Sequence, residues 1–171
     1  MAQSRLILAV SPSLYLSIPF TGIISANLDD GGSMVISKQL TLKTNGHGDT
    51  IDITPGVERA IAEANLASGV VTLFVVGSTA ALTTIEYEDG AVNDLGRAIE
   101  RIAPRGIEYE HHLRWGDDNG HSHVRAALLG PSLSVPFVGG RLTLGTWQQI
   151  ILIDFDTRPR QREIVAQIIG E

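Results

Sequence analysis

The chain has 171 residues, 43% hydrophobic and 19% charged, with a mean hydropathy of +0.13, which supplies one buried core and excludes disorder as the main state. Its 13 Lys and Arg against 19 Asp and Glu leave a net charge of -6, arguing against a general nucleic-acid or anionic-membrane surface. Absence of cysteine excludes a disulfide scaffold, thiolate zinc ligation and a Cys nucleophile, and agrees with a reducing, cytoplasmic setting.

Residues 1–33 read as an N-terminal extension of one or two strands. Its apolar stretch is cut by Pro12 and Pro19, short of the roughly 20 uninterrupted apolar residues that a spanning helix needs. No membrane partner is expected. Asp29-Asp30-Gly31-Gly32-Ser33 forms turns throughout and separates this segment from a single domain over 34–171. A strand at 37–42 ends at the turn Asn45-Gly46-His47-Gly48-Asp49. Thr54 offers an N-cap and Pro55 suits the first helical position. Val57, Ala60, Ile61 and Ala64 then repeat at helical spacing, and Gly69 closes the helix. Runs at 70–76 and 80–86 read as strands. Val92, Leu95, Ile99 and Ile102 make the stripe of a second helix, which Pro104 ends. Short strands follow near 107–112, 122–129, 132–137, 148–155 and 162–169. Two main helices among many strands, with no regular βαβ alternation, predict an α+β fold.

Four of the five histidines lie within 111–123. If 107–112 and 122–129 are strands joined by the turn Asp117-Asp118-Asn119-Gly120, His121 and His123 share a face. One of His111 and His112 can then join them. The expected site is one divalent ion on His111, His121 and His123, zinc first with magnesium or manganese as alternatives, and a fourth position open to water or substrate. The alternative is a set of strand histidines that only hydrogen-bond their neighbours. Ser78 and Thr79, in Gly77-Ser78-Thr79-Ala80, follow a buried strand and can meet an oxyanion or form a plain turn. Glu86 at a strand end is an acid–base candidate or simply solvated. Arg158, Arg160 and Arg162 fall on one side of an extended chain, as a phosphate clamp, a solvated face or a subunit contact. Trp147, beside Gly145, reads as close packing near a pocket or as a core residue.

A wider set of pieces stands in a recognisable order: Asp52-Ile53-Thr54, Ser78-Thr79-Ala80, Glu86, Asp94, Pro104, Tyr109-Glu110-His111, Asp118-Asn119, His123 and Leu129-Gly130-Pro131-Ser132. Pro136, Gly140-Arg141-Leu142, Leu144-Gly145-Thr146-Trp147-Gln148 and Pro159-Arg160-Gln161-Arg162 follow. Together they span residues 35–171, and in this order the sequence resembles the YjbQ family, whose members are named secondary thiamine-phosphate synthase enzymes. The resemblance implies a β-sandwich core of mixed or antiparallel strands, a homotrimer, and a small phosphorylated metabolite as substrate. It also implies the reaction: a hydroxymethylpyrimidine pyrophosphate joins a thiazole phosphate with release of pyrophosphate. His111 and His123 match family histidines. Many relatives carry a third in an H-T-S/T-A motif, where this chain has Gly77, and His121 is the expected replacement. Carried over in the same way, Glu86, Asp118 and Asn119 are the catalytic candidates. Ser78, Thr79, Trp147, Gln148, Arg160 and Arg162 are the substrate-binding ones, with Arg160 or Arg162 at the leaving pyrophosphate and Trp147 or Trp115 against a heteroaromatic ring. Two other readings stand beside this one: a metal-dependent hydrolase of a phosphorylated or acyl metabolite, and a non-enzymatic trimeric binding protein.

Overall fold

Alternating and continuous apolar runs build two sheets with different surroundings. In the computed structural model, which describes residues 25–28 and 34–171, the chain runs through β1 (Ser25–Leu28), β2 (Met34–Thr44), β3 (Asp49–Asp52), α1 (Thr54–Ala64), β4 (Ser68–Val76), β5 (Ala80–Ile85) and α2 (Asp89–Ile102). It continues through α3 (Glu110–Trp115), α4 (Gly120–Leu129), β6 (Ser132–Val138), β7 (Arg141–Leu142), β8 (Gln149–Asp154) and β9 (Arg160–Gly170). A six-stranded sheet has the order β1-β2-β9-β4-β6-β7 and a three-stranded sheet the order β3-β8-β5, with every pairing antiparallel.

The period-2 pattern of the long strands decides which residues meet. Ile36 and Leu40 of β2, Val71, Leu73 and Val75 of β4, and Ile164, Ala166 and Ile168 of β9 all point inward. They pack on Leu82 of β5 and on Ile150 and Leu152 of β8, while α1 brings in Val57, Ala60, Ile61 and Ala64. Strand β8 is apolar on both faces. Its Ile151 and Ile153 enter a second core with Ala81, Ile99 of α2, Ala126 of α4 and Phe155. The result is a sandwich with helices layered on the outer side of the smaller sheet, the α+β architecture expected.

Local chemistry explains where the boundaries differ from the sequence pattern. Thr54 is the first residue of α1 rather than its cap, and its hydroxyl accepts from the Ile150 amide at 2.8 Å, tying the helix to β8. The helix ends at Ala64, where Asn65 takes a left-handed φ of 54°. Gly69 lies instead in β4, where a Cβ would stand 2.0 Å from the Ile169 carbonyl oxygen, so only glycine lets β4 and β9 approach.

The expected strands at 107–112 and 122–129 are corrected: the chain forms α3 and α4 there, two helices shorter than α1 and α2. Residues 122–129 contain helix formers such as Ala126, Ala127 and Leu128. The face that α4 buries is His121, Ser122, Arg125 and Ala126, a helical period written mostly in polar residues. A hydrophobicity pattern does not register it. Of the expected N-terminal extension only β1 is described, and the rest of it, with the linker at 29–33, lies outside the described residues. No helix among the described residues is long and apolar enough to cross a membrane.

Candidate functional site

Helices α3 and α4 meet at an angle that brings one histidine from each together. The rings of His111 and His123 stand 4.6 Å apart, tilted by 51°. His111 Nε2 lies 3.6 Å from Asp117 Oδ1. With its amide nitrogen turned toward this cluster, Asn119 donates to His111 Nε2 at 3.0 Å and to Asp117 Oδ1 at 3.1 Å. With Nε2 accepting that bond, Nδ1 is the ring nitrogen of His111 left to donate. Burial, followed by the neighbouring His111, pushes the His123 imidazole below its ordinary pKa, against the pull of Asp117, Asp156 and the Ser78 backbone. His123 is therefore neutral at pH 7.

The other two histidines of the cluster do different work. On a helix, residues two apart point to nearly opposite sides, so His121 turns away from His123. It is 4% exposed, lies 6.3 Å from the Tyr109 ring, and its Nδ1 has no hydrogen-bond partner among the described residues. His112 joins the helices: its Nε2 accepts from the Gly120 amide at 3.0 Å, and its Nδ1 is 3.5 Å from Asp118 Oδ1. The expected convergence of His111, His121 and His123 is thus corrected by the helical geometry. Among the described residues no group of three or more His, Asp or Glu is arranged to hold a metal ion.

Beside His123, the turn from β4 to β5 rests on a buried ionic network. Arg162 donates from Nε to Asp154 Oδ2 at 2.7 Å and from Nη2 to Asp154 Oδ1 at 2.6 Å, a bidentate pair. Arg162 Nη2 also donates to Thr79 Oγ1 at 2.7 Å, and Thr79 Oγ1 donates to Asp156 Oδ2 at 2.9 Å. Arg160 Nε donates to the same Asp156 oxygen at 2.8 Å. Burial works to raise the Asp156 carboxyl, but the hydrogen bonds from Arg160 and Thr79 outweigh it and hold its pKa below the ordinary value. The remaining Arg162 nitrogen, Nη1, makes no hydrogen bond among the described residues. It lies 3.1 Å from where a Cβ on Gly77 would stand, and Gly77 has a φ of +134°. Glycine both permits that backbone and keeps a side chain from being pressed between the turn and the buried guanidinium. Gly77, Ser78, His123, Ala126 and Pro131 line a cavity of about 320 Å³ at this point.

These features stand in a chain whose relatives are recognisable. The profile described as UPF0047 protein YjbQ-like matches residues 38–171. The chain belongs to the YjbQ/UPF0047 family. It is 37% identical to a UPF0047 protein of Archaeoglobus fulgidus over 77% of this chain and 99% of that protein. It is 33% identical to the UPF0047 protein YugU of Bacillus subtilis over 78% of this chain and 98% of that one. A crystal structure of a YbjQ-like protein of unknown function from Sulfolobus solfataricus P2 superposes with a TM-score of 0.77 at 32% identity, covering 81% of this chain and 99% of that one.

In this YjbQ-like chain the expected site residues divide between two ends of the smaller sheet. The register pairs Ala80 with Asp154 at one end and Ile85 with Gln149 at the other. Ser78, Thr79, Asn119, Arg160, Arg162, His111 and His123 gather at the first end. Glu86 follows Ile85 at the second, roughly 20 Å along the strand from Ala80. Gln148 belongs to that far end too, donating from Nε2 to Thr84 Oγ1 at 3.0 Å. Trp147 beside it is 71% exposed, neither a core residue nor a wall of the His123 cavity. Trp115 is also exposed, stacked under Arg114. Thr79 spends its hydroxyl inside the network, and Asp118 touches His112 rather than the histidine pair. Sequence reasoning missed Asp117, Asp154 and Asp156. The available signal was Asp154-Phe155-Asp156 directly after the apolar run of β8: two carboxylates at a buried strand end demand cations, and Arg160 and Arg162 supply them.

Proposed function

We propose that this YjbQ-family chain is an enzyme acting on a small phosphorylated metabolite at the His111–His123 pair. The observation that carries the reading is that His123 faces the same cavity as the Gly77-Ser78 turn, behind which Arg162 Nη1 has no hydrogen-bond partner among the described residues. A neutral imidazole offers one N–H donor and one acceptor, and a guanidinium fixed by Asp154 holds an oxyanion without reorganising. The named reaction that suits these parts is the one the family resemblance implies. The bond between the pyrimidine methylene carbon and the pyrophosphate oxygen breaks, that oxygen keeps the electron pair, and the carbon bonds to the thiazole nitrogen. Nothing is oxidised or reduced. Arg162 Nη1 and the Ser78 hydroxyl hold the departing phosphate oxygens, and an imidazole N–H of the pair donates to them. Asn119 and Asp117 orient His111.

The residues present do not fit a resident zinc, magnesium or manganese ion as a three-ligand site, because His121 faces the opposite side of α4 from His123. No step is assigned to a metal. A homotrimer, which the resemblance implies, is supported by the outer face of the larger sheet, where Phe74, Val76, Val138 and Ile169 are exposed.

Incubation of the protein with hydroxymethylpyrimidine pyrophosphate and thiazole phosphate tests the reading. Thiamine phosphate and inorganic pyrophosphate are expected from the wild type, with a loss of about a hundredfold or more in His123→Ala and in Arg162→Gln. Orthophosphate from either substrate, lost in the same variants, would mark a hydrolase. No turnover with or without added divalent metal would overturn the enzymatic reading in favour of a binding protein.

A further inference from the structure

Helix α2 seats its apolar stripe only in part, with Leu95 packed at the edge of the second core. Of Val92, Leu95, Ile99 and Ile102, only Ile99 is buried, and Ile102 is 69% exposed. Between this helix and β8 lies a second cavity of about 320 Å³, whose walls include Val92, Leu95 and Ile99 and whose floor is Ile153 and Phe155. The volume falls within the range of small-molecule sites, roughly 300–1,000 Å³.

The mouth of this cavity is cationic. Arg97, Arg105 and Arg125 line it against a single lining carboxylate, Glu100. The cations are not equivalent. Arg97 is paired with Asp94. Arg125 is 3% exposed and spends its Nε and Nη2 on the Ala103 carbonyl, with Nη2 also donating to Glu100 Oε2 at 2.5 Å. Glu100 in turn accepts from the Arg105 amide at 2.8 Å, and that bond with the Arg125 bond keeps it ionised and already engaged. Arg105 is anchored by Nη2 donating to the His47 carbonyl at 2.7 Å and by Nε standing 3.6 Å from Glu100 Oε2, while its Nη1 makes no hydrogen bond among the described residues. The cavity therefore joins an apolar slot to an anchored guanidinium that shares the one lining carboxylate, Glu100, with Arg125 and keeps Nη1 for a further acceptor.

We infer that the cavity under α2 is a binding site for a small organic anion, an aromatic or branched apolar body bearing one carboxylate, sulfonate or phosphate. The apolar body fills the slot between Leu95 and Phe155, and the anionic group bonds Arg105 Nη1 at the mouth. The site is separate from the His111–His123 pair and does not depend on the reaction proposed there.

The test titrates the full chain with anilinonaphthalene sulfonate and, in parallel, with the uncharged phenylnaphthylamine, following dye fluorescence. Saturable binding of both is expected. Leu95→Trp, which fills the slot, should abolish both. Arg105→Gln, at a partly exposed position, should weaken the sulfonate about tenfold, the worth of one charge-assisted hydrogen bond, and spare the uncharged dye. Circular dichroism establishes that each variant is folded. Sulfonate binding unchanged in both variants would locate the dye elsewhere and overturn the inference. So would equal weakening of both dyes by Arg105→Gln, or a change of oligomeric state in Leu95→Trp, which would make the slot a contact between copies.

Discussion

A single buried carboxylate, Asp154, holds together the half of the site proposed to meet an anion. It is fully buried, accepts two bonds from Arg162 and one from the Thr44 hydroxyl, and its own Oδ1 also accepts from the Asp156 amide. Breaking such a pair by removing one partner strands a buried charge. Asp154→Asn is expected to cost about 3–5 kcal/mol, read from denaturant midpoints. Arg160, two-thirds buried and bonded to Asp156 alone among these carboxylates, should cost far less when changed to Gln. Equal losses in the two variants would contradict the central place given to Asp154. The arginines were legible in the sequence because three stand in five residues. Their partners Asp154 and Asp156 were passed over, because the pairing joins the end of β8 to the start of β9 and only the fold shows that both carboxylates are buried.

At the scale of elements, α4 shows what pattern reading could and could not reach. The amphipathic stripes of α1 and α2 and the apolar runs of β4, β6, β8 and β9 were visible because their buried faces are hydrocarbon. The buried face of α4 is an imidazole, a hydroxyl and a guanidinium, whose partners lie on other elements. His121 makes that face sensitive to acid. Burial first, then Arg125, Arg105 and His112, depress its pKa in the folded chain, with only Glu100 opposing. The unfolded chain binds the proton more readily, so stability is full above about pH 6.5 and falls as pH drops below that value toward the folded pKa. Replacing His121 with Leu should flatten the stability profile between about pH 5 and pH 7, measured by thermal melts across that range. An unchanged slope would assign the effect to His123, which is shifted in the same direction.

For the whole molecule, the two faces of the larger sheet have opposite fates. One face forms the main core. The other leaves Phe74 and Val76 of β4 about half exposed, with Ile169 of β9 and Val138 of β6 on the same outer side. The register sets Phe74 and Val76 toward one end of this face and Ile169 and Val138 toward the other, with Thr72, Gln167 and Ser134 between them, and the proposed homotrimer would cover these exposed apolar side chains. Light scattering should give a trimer mass for the wild type and a monomer for Phe74→Arg, which would place a charge on a surface that the contact desolvates. A monomeric wild type at micromolar concentration would overturn the trimer.

The layering also divides the His111–His123 site by mechanical character. Arg162 lies within the long β2–β9–β4 ladders, and its partner Asp154 ends β8, the strand packed by hydrocarbon on both sides. His111 rides on α3, a six-residue helix with no buried residue. If the proposed anion binds there, its Arg162 anchor is held as firmly as the core, whereas His111 is carried on a short helix that no buried side chain pins, so recognition and chemistry would rest on parts of unequal stiffness.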